Sequence, residues 1–188
     1  MAPITVDPKP AAARISGRYA VFIGAAPNGL SSKLNAACTI DTVEAGLLEV
    51  YRPALQSALV GNFEHVDFLP ARPTKQALAE KGYKAGFVFS VMSMEGVAVT
   101  APKFGSQLTP DIFLGGTMVM LDAAGEHAPV LVTGHGQNLT SGRHGCDGAA
   151  ADVGEAAHYA YTDLIQHELD AARDAVRHPA AISQTAPP

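Results

Sequence analysis

Tryptophan is absent from the 188 residues, and aromatic residues make up only 6% of the chain. Basic residues are also sparse: the 13 lysines and arginines lie scattered, and the formal net charge is −5. Neutralising the phosphates of a nucleic acid requires clustered basic side chains, and holding single-stranded bases requires aromatic platforms. The composition therefore argues against a nucleic-acid partner.

Long apolar runs are missing as well. The best candidate, YAVFIGAA, is interrupted at Pro27, far short of the roughly 18 residues that a transmembrane helix needs. The opening MAPITVDPKPAAA lacks the apolar centre of a secretory signal. We therefore expect no transmembrane segment, while export after removal of a signal and a cytoplasmic location both stay open.

The two ends of the chain are rich in proline and small residues, which offer little surface to bury. We predict a disordered arm over residues 1–14 and a disordered tail over 179–188. Apolar residues form 47% of the chain, enough for one well-filled core. Residues 15–178 are therefore predicted to form a single domain.

Only two cysteines are present, Cys38 and Cys146. They are either two thiols in a reducing compartment or one disulfide in an oxidising one. A bridge would close a loop of about 110 residues and stabilise the fold by up to ~4–5 kcal/mol. Both readings remain open. No CxxC motif surrounds Cys146, so the sequence does not favour a thiol nucleophile there.

Alternating and continuous apolar runs predict strands at 18–24, 64–69 and 84–102. Two further strands, 111–122 and 128–139, are joined by a short glycine-containing connection, which is typical of a β-hairpin. Gly115-Gly116 within the first of these predicts a bulge or a close backbone approach. Methionines spaced two apart on these strands are expected in the core: Met92, Met94, Met118 and Met120.

Apolar residues at helical spacing predict one helix over 41–63 and another over 152–178. Asp41 and Asp152 are the expected N-caps, and Pro53 should kink or break the first helix. A short helix or turn is predicted between Thr74 and Gly82. The order β-α-β-(α)-β-β-β-α indicates an α+β two-layer sandwich, in which two long helices cover one face of a four- or five-stranded, mainly antiparallel sheet.

Sequence motifs of catalysis are missing. There is no G-x-S-x-G, no G-x-G-x-x-G after a strand and no phosphate-binding loop. His167-Glu168 begins like a zinc-protease motif, but Ala171 stands where the second histidine is required. Glu168 is therefore expected to face solvent. We predict no catalytic residue and no cofactor-binding residue.

One stretch, GHGQNLTSGRHGCDG, gathers side chains that can bind zinc: His135, His144, Cys146 and Asp147. Their spacing matches no strong zinc pattern. Because the stretch is rich in glycine, a flexible surface loop that happens to contain two histidines is the main interpretation. A metal site at these four residues is the runner-up.

Two longer stretches resemble small bacterial envelope proteins. LLEVYRPALQSALVGNFEHVDFLP is similar to their helix followed by a strand, and GYKAGFVFSVMSMEGVAVT with FLGGTMVMLDAAGEHAPVLVTGHG is similar to the long strand and hairpin that come next. The resemblance, over about residues 42–175, is to the curli secretion-channel lipoprotein, the Pel polysaccharide lipoprotein, the amino-terminal domain of the Tol β-propeller protein and auxiliary lipoproteins of lipid transporters. This chain departs from them at Gly125-Glu126-His127 and lacks a lipidation box.

The resemblance implies a periplasmic or outer-membrane-associated protein without turnover. Such a protein would dock on an envelope secretion or transport complex, or assemble with itself, and could have been anchored through a lipidated N-terminus that was removed. The alternatives are a metal-binding protein or enzyme that uses the His135–Asp147 loop, and a small-molecule binding domain with a pocket between helix and sheet beside Gly115-Gly116.

Overall fold

The computed structural model describes residues 13–24, 31–32, 43–44, 47–101, 107–138 and 145–179, and only the backbone for 31–32, 43–44, 47–49, 97–101, 107–109 and 145–151. Along the chain the elements are β1 (Ile15–Ile23), β2 (Ser31–Ser32), β3 (Val43–Glu44), α1 (Leu47–Asn62), β4 (Phe63–Phe68), α2 (Lys75–Lys81), β5 (Ala85–Ala101), β6 (Gln107–Leu121), β7 (Val130–Gln137) and α3 (Gly145–Arg177).

The main sheet has five strands in the order β4-β1-β5-β6-β7, and β2 and β3 form a separate two-stranded ribbon. Strand β1 runs parallel to both β4 and β5, whereas β5, β6 and β7 are antiparallel neighbours. The predicted α+β class with a five-stranded sheet is confirmed. The sheet is mixed: most of its paired residues are antiparallel, and β1 adds the two parallel pairings. Helical connections follow β1 and β4 and return the chain to the same end of the sheet, which makes the next strand parallel.

Both long helices contribute to one buried cluster on a single face of the sheet. Tyr51, Leu55 and Leu59 of α1 and Leu164 and Ile165 of α3 belong to it. On the sheet side the cluster is formed by alternate residues of the strands, among them Tyr19, Val21, Phe87, Phe89, Leu114, Met118 and Met120. Helix α2 lies on the opposite face, where Pro73 and Leu78 approach Gly86. In the described part of the chain, no helix is long and apolar enough to span a membrane.

Helix α2 begins and ends where the sequence predicts. The Thr74 hydroxyl accepts a hydrogen bond from the backbone N–H of Ala77 at 3.2 Å. Gly82 ends the helix with φ of 66°, a left-handed conformation that glycine adopts without steric cost. Both signals are local, so they could be recognised without any tertiary information.

The ends of the two long helices differ from the prediction. Val43 and Glu44 pair with β2 as a strand, and α1 begins only at Leu47 and continues through Pro53 without a break. Helix α3 begins at Gly145, so Asp152 lies inside it and is not an N-cap. Asp152 is 6% exposed, and within the described residues its Oδ2 has no hydrogen-bond partner.

The predicted hairpin is confirmed as β6 and β7. Asp122 shapes its turn: the Oδ1 atom accepts hydrogen bonds from the N–H groups of Ala124 and Gly125, and Oδ2 lies 2.8 Å from His127 Nε2. Burial opposes ionisation of Asp122, but these hydrogen bonds outweigh it and lower its pKa below the ordinary value.

Candidate binding surface

The sheet face opposite α1 and α3 is only partly covered. Within this face, α2 reaches the end near Gly86. Beyond it, β5, β6 and β7 expose three large apolar side chains: Met92 at 55%, Phe113 at 42% and Leu131 at 75%. The described residues expose only two other large apolar side chains to a similar degree, Val60 and Tyr159. In the described part of the chain, exposed apolar side chains are therefore concentrated on this face, which we call the open face.

A bulge in β5 places Met92 on the open face. The register of β5 against β6 shifts between Val91 and Ser93, so Met92 is the extra residue. Met94 then falls on the helix side and is buried, as are Met118 and Met120. The prediction that all four methionines pack in the core is thus wrong for Met92. The predicted irregularity at Gly115-Gly116 is real, but the extra residue belongs to the partner strand.

One polar cluster on the open face contains the first predicted zinc ligand. His135 lies in β7 directly opposite Phe113 of β6, and their rings stack with centroids 4.5 Å apart. His135 Nε2 is 2.5 Å from Asp111 Oδ1, with the two side chains 50% and 25% exposed. His135 therefore lies in the strand predicted over 128–139, and not in the glycine-rich surface loop with which it was also grouped.

The other three candidate ligands cannot be placed beside it. His144 lies outside the described residues, and for Cys146 and Asp147 only the helical backbone of α3 is described. Among the side chains that the structure describes, no three histidine, cysteine, aspartate or glutamate residues gather as a metal site would require. Cys38 also lies outside the described residues, so the metal set and the Cys38–Cys146 bridge both stay predictions.

In the Asp111–His135 pair a carboxylate orients an imidazole ring. The same arrangement occurs where a histidine acts as a general base for a nucleophile. A nucleophile would have to stand within hydrogen-bond reach of the ring. In the described part of the chain, His135 forms hydrogen bonds with Asp111 and, through its backbone, with Asp163, but none with a serine, threonine or cysteine side chain. Among the described residues, the imidazole of His135 is thus oriented by Asp111 but has no side-chain nucleophile bonded to it.

The two edge strands of the sheet differ in how far other described residues cover their backbone groups. Strand β7 forms one edge, and α3 covers part of its backbone: His135 N–H donates to Asp163 Oδ2 at 2.9 Å, and His167 Nδ1 lies 2.6 Å from the Thr133 carbonyl oxygen. Strand β4 forms the other edge, beside an open groove of about 490 Å³. Unpaired backbone groups at a sheet edge can accept another strand.

A buried carboxyl group was missed by the sequence analysis. Glu168 was expected to face solvent, but it is fully buried between α1, α3 and β6. The Tyr51 hydroxyl lies 2.6 Å and 2.8 Å from its two carboxyl oxygens. Burial raises the pKa of Glu168 to about 8, although the hydrogen bond from Tyr51 lowers it in part. The pKa of Tyr51 is also raised, first by burial and then by Glu168.

Gly116 leaves the space that Glu168 fills. A Cβ atom at Gly116 would lie 3.3 Å from Glu168 Oε1 and 3.4 Å from Leu164 Cδ1. The predicted close approach at Gly115-Gly116 is therefore correct, but a side chain of α3 makes it. The pocket for a small molecule that was considered beside these glycines is occupied by the protein itself.

Comparison with known proteins identifies a shared fold and no sequence family. No protein-family model and no curated protein matches the sequence. The structure is similar to that of a Xanthomonas campestris protein of the DUF330 family. The TM-score is 0.58, at 12% identity over 94% of each chain.

Other solved structures superpose more loosely. They include a hypothetical protein from Chlamydia trachomatis, with a TM-score of 0.48 at 7% identity over 85% of this chain and 98% of that one. The Pel lipoprotein PelC from Paraburkholderia phytofirmans, which is a dodecamer, gives 0.32 at 16% identity over 85% and 92%. At such low identities only the fold of the Xanthomonas protein is informative for this chain, and the looser matches carry no further argument.

Proposed function

We propose that this protein is a non-enzymatic component of the bacterial cell envelope that docks on, or assembles into, a secretion or transport complex. The single observation that carries the proposal is the open face, where Met92, Phe113 and Leu131 are exposed side by side on the sheet. Exposed apolar groups that cluster on one face of a protein mark sites of protein contact. The periplasmic compartment rests on the sequence resemblance to envelope lipoproteins.

The polar groups of the open face suit a partner contact. His135 is held flat against Phe113 and is hydrogen-bonded to Asp111, so the three side chains form a preorganised patch. A patch that is ordered before binding loses little side-chain entropy when a partner covers it. Leu131, at 75% exposure, is the side chain with most apolar surface left to bury and is the expected anchor.

Replacing Leu131 with glutamate should weaken attachment to the envelope complex by roughly tenfold or more, because a charge would be buried at the centre of the contact. The measurement is the share of tagged full-length protein that cosediments with solubilised envelope complexes from the source bacterium. Site-specific photo-crosslinking from position 131 should give a discrete product of higher mass.

Tyr159→Glu is the matched control, because Tyr159 is 47% exposed and lies on α3, away from the open face. It should cosediment like the wild type. Equal cosedimentation of the Leu131 and Tyr159 variants would remove the open face from the proposal. Recovery of the native protein in the cytosol alone would remove the envelope role.

A further inference from the structure

Alternate residues of strand β4 direct their backbone N–H and C=O groups away from β1, toward the outer edge of the sheet. Leu69 N–H donates to the Val21 carbonyl oxygen at 2.8 Å, which fixes which residues face β1. Backbone groups point alternately to the two sides of a strand. His65 and Asp67 therefore direct their N–H and C=O groups toward β1, whereas Glu64, Val66 and Phe68 direct theirs to the free edge.

These edge groups lack the cover that α3 gives to β7. Among the residues that the structure describes, no side chain forms a hydrogen bond with the outward backbone groups of Glu64, Val66 or Phe68. The groove beside them is open, with a volume of about 490 Å³. Val60 of α1, 50% exposed, and Val66 contribute its apolar lining. Among the described residues, no strand pairs with this edge, and its helix side is apolar.

We propose that a second copy of this chain occupies this edge, with the two β4 strands antiparallel about a twofold axis at Val66, so that the two sheets become continuous. The proposal deepens the self-assembly part of the proposed function and rests on it. It concerns a different surface from the open face, so the two can fail separately.

Hydrogen bonding selects this register. Antiparallel pairing requires an outward-facing residue opposite another outward-facing residue. With the axis at Val66, Glu64 of each copy meets Phe68 of the other, and the two Val66 residues meet each other. Every outward group of the strand then finds a partner. An axis at His65 or at Asp67 leaves one outward residue of each copy unpaired.

Charge selects the same register. An axis at Val66 places His65 of each copy opposite Asp67 of the other, whereas an axis at Asp67 would place two carboxylates face to face, which is destabilising. The His65 side chain is 69% exposed. Tyr83 and Arg18 both donate to Oδ2 of Asp67, and within the described residues no hydrogen bond uses Oδ1. A hydrogen bond from Tyr83 is the largest cause that lowers the pKa of Asp67, and Arg18 adds to it, so the group is an anion at neutral pH.

Proline at position 66 tests the pairing directly. The Val66 N–H faces the free edge, so Val66→Pro removes a bond of the proposed dimer without removing one from the β1–β4 pairing. In sedimentation equilibrium with the purified chain, we expect a dimer for the wild type and a dissociation constant raised roughly 100-fold for the variant. Far-UV circular dichroism reports whether the variant keeps its fold. The series of protein concentrations should span about a factor of 100 and reach about 100 μM. A wild type that stays monomeric throughout this series would overturn the proposal.

Cysteine crosslinking tests the register independently of the proline variant. Opposed residues in a hydrogen-bonded antiparallel pair have Cα atoms about 5.5 Å apart, a distance that a disulfide can span. Val66→Cys should therefore form a covalent dimer on mild oxidation. His65→Cys, whose neighbour across the axis is Asp67, and Thr133→Cys on the covered β7 edge should form none above the level of the wild type.

Crosslinking at His65 or Thr133 in preference to Val66 would overturn the register and the surface. If the wild type is monomeric but Leu131→Glu still weakens envelope attachment, the β4 pairing fails and the proposed function stands. If β4 pairs as described but the protein is cytosolic, the pairing stands and the proposed function fails.

Discussion

Replacing Glu168 with glutamine should remove a large pH dependence from the stability of the protein. The unfolded chain loses the Glu168 proton near its ordinary pKa of 4.5, whereas the folded chain keeps it up to a pKa of about 8. Between these values the unfolded state binds fewer protons, so the free energy of unfolding falls as the pH rises. The stabilisation is complete below about pH 4.5 and lost above about pH 8, a change on the order of 5 kcal/mol.

Glutamine has the shape of the protonated carboxyl group and can also pair with the Tyr51 hydroxyl. Glu168→Gln should therefore match the wild type within about 1 kcal/mol at pH 4 and exceed it by several kcal/mol at pH 8.5. Urea unfolding at intervals between these two pH values measures both curves. Other titrating groups are common to both proteins and cancel in the difference.

Glu80→Gln is the control, since Glu80 is exposed on α2 and its only described side-chain partner is Gln76. Its unfolding free energy should follow the wild type at every pH. Parallel pH curves for the wild type and Glu168→Gln would show that the carboxyl group is not held protonated in the folded state. Tyr51→Phe should cost about 1–3 kcal/mol at pH 5.5, because it leaves the buried carboxyl group without its partner.

Alanine at Gly136 should cost the fold at least about 3 kcal/mol, and Gly134→Ala should cost a similar amount. Helix α3 lies directly on these two glycines of β7. A Cβ atom at Gly136 would overlap the carbonyl oxygen of Ala156 and the backbone nitrogen of Ala160, and one at Gly134 would overlap the carbonyl oxygen of Ala160. Backbone atoms cannot rotate away, so the helix would have to move off the sheet.

The matched control is Gly154→Ala within α3. A Cβ atom there meets nothing within 4 Å, and alanine is the better helix former, so stability should rise by about 0.5–1 kcal/mol. Chemical denaturation measures the free energy of unfolding of all three variants. If Gly136→Ala does not fold, its yield of soluble protein is compared with that of the wild type instead. A loss below about 1 kcal/mol for Gly136→Ala would show that α3 does not lie so close to β7.

Local signals explain what could be predicted from the sequence. Thr74 and Gly82 mark the ends of α2, and the connection around Gly125 marks the β6–β7 hairpin, because the hydrogen bonds concerned join residues a few positions apart. Alternation of apolar residues was enough to find the strands of the main sheet. The order of the strands could not be predicted. Strand β1 lies between β4 and β5, and both of these strands are far from β1 in the sequence.

The buried glutamate shows how a signal can be present and still be misread. Glu168 lies four residues after Leu164 and four before Ala172, in the middle of the apolar stripe of α3. That position indicates burial, but a carboxyl group in the core is stable only with a partner, and the partner comes from α1, more than a hundred residues away. The spacing of Glu168 could have indicated that it is buried. It could not identify Tyr51 as the partner of the carboxyl group.

The sequence by itself determined the α+β class, the hairpin, the limits of α2 and the absence of recognisable catalytic motifs, since each depends on residues close together in the chain. Only the tertiary structure decided that the sheet is mixed, that Glu168 is buried against Tyr51, and that Met92 and Leu131 share an open face. It also decided that α3 covers the β7 edge, whereas no described segment covers β4. Those features depend on which distant segments meet, and their physical cause is the packing of side chains that the order of residues does not bring together.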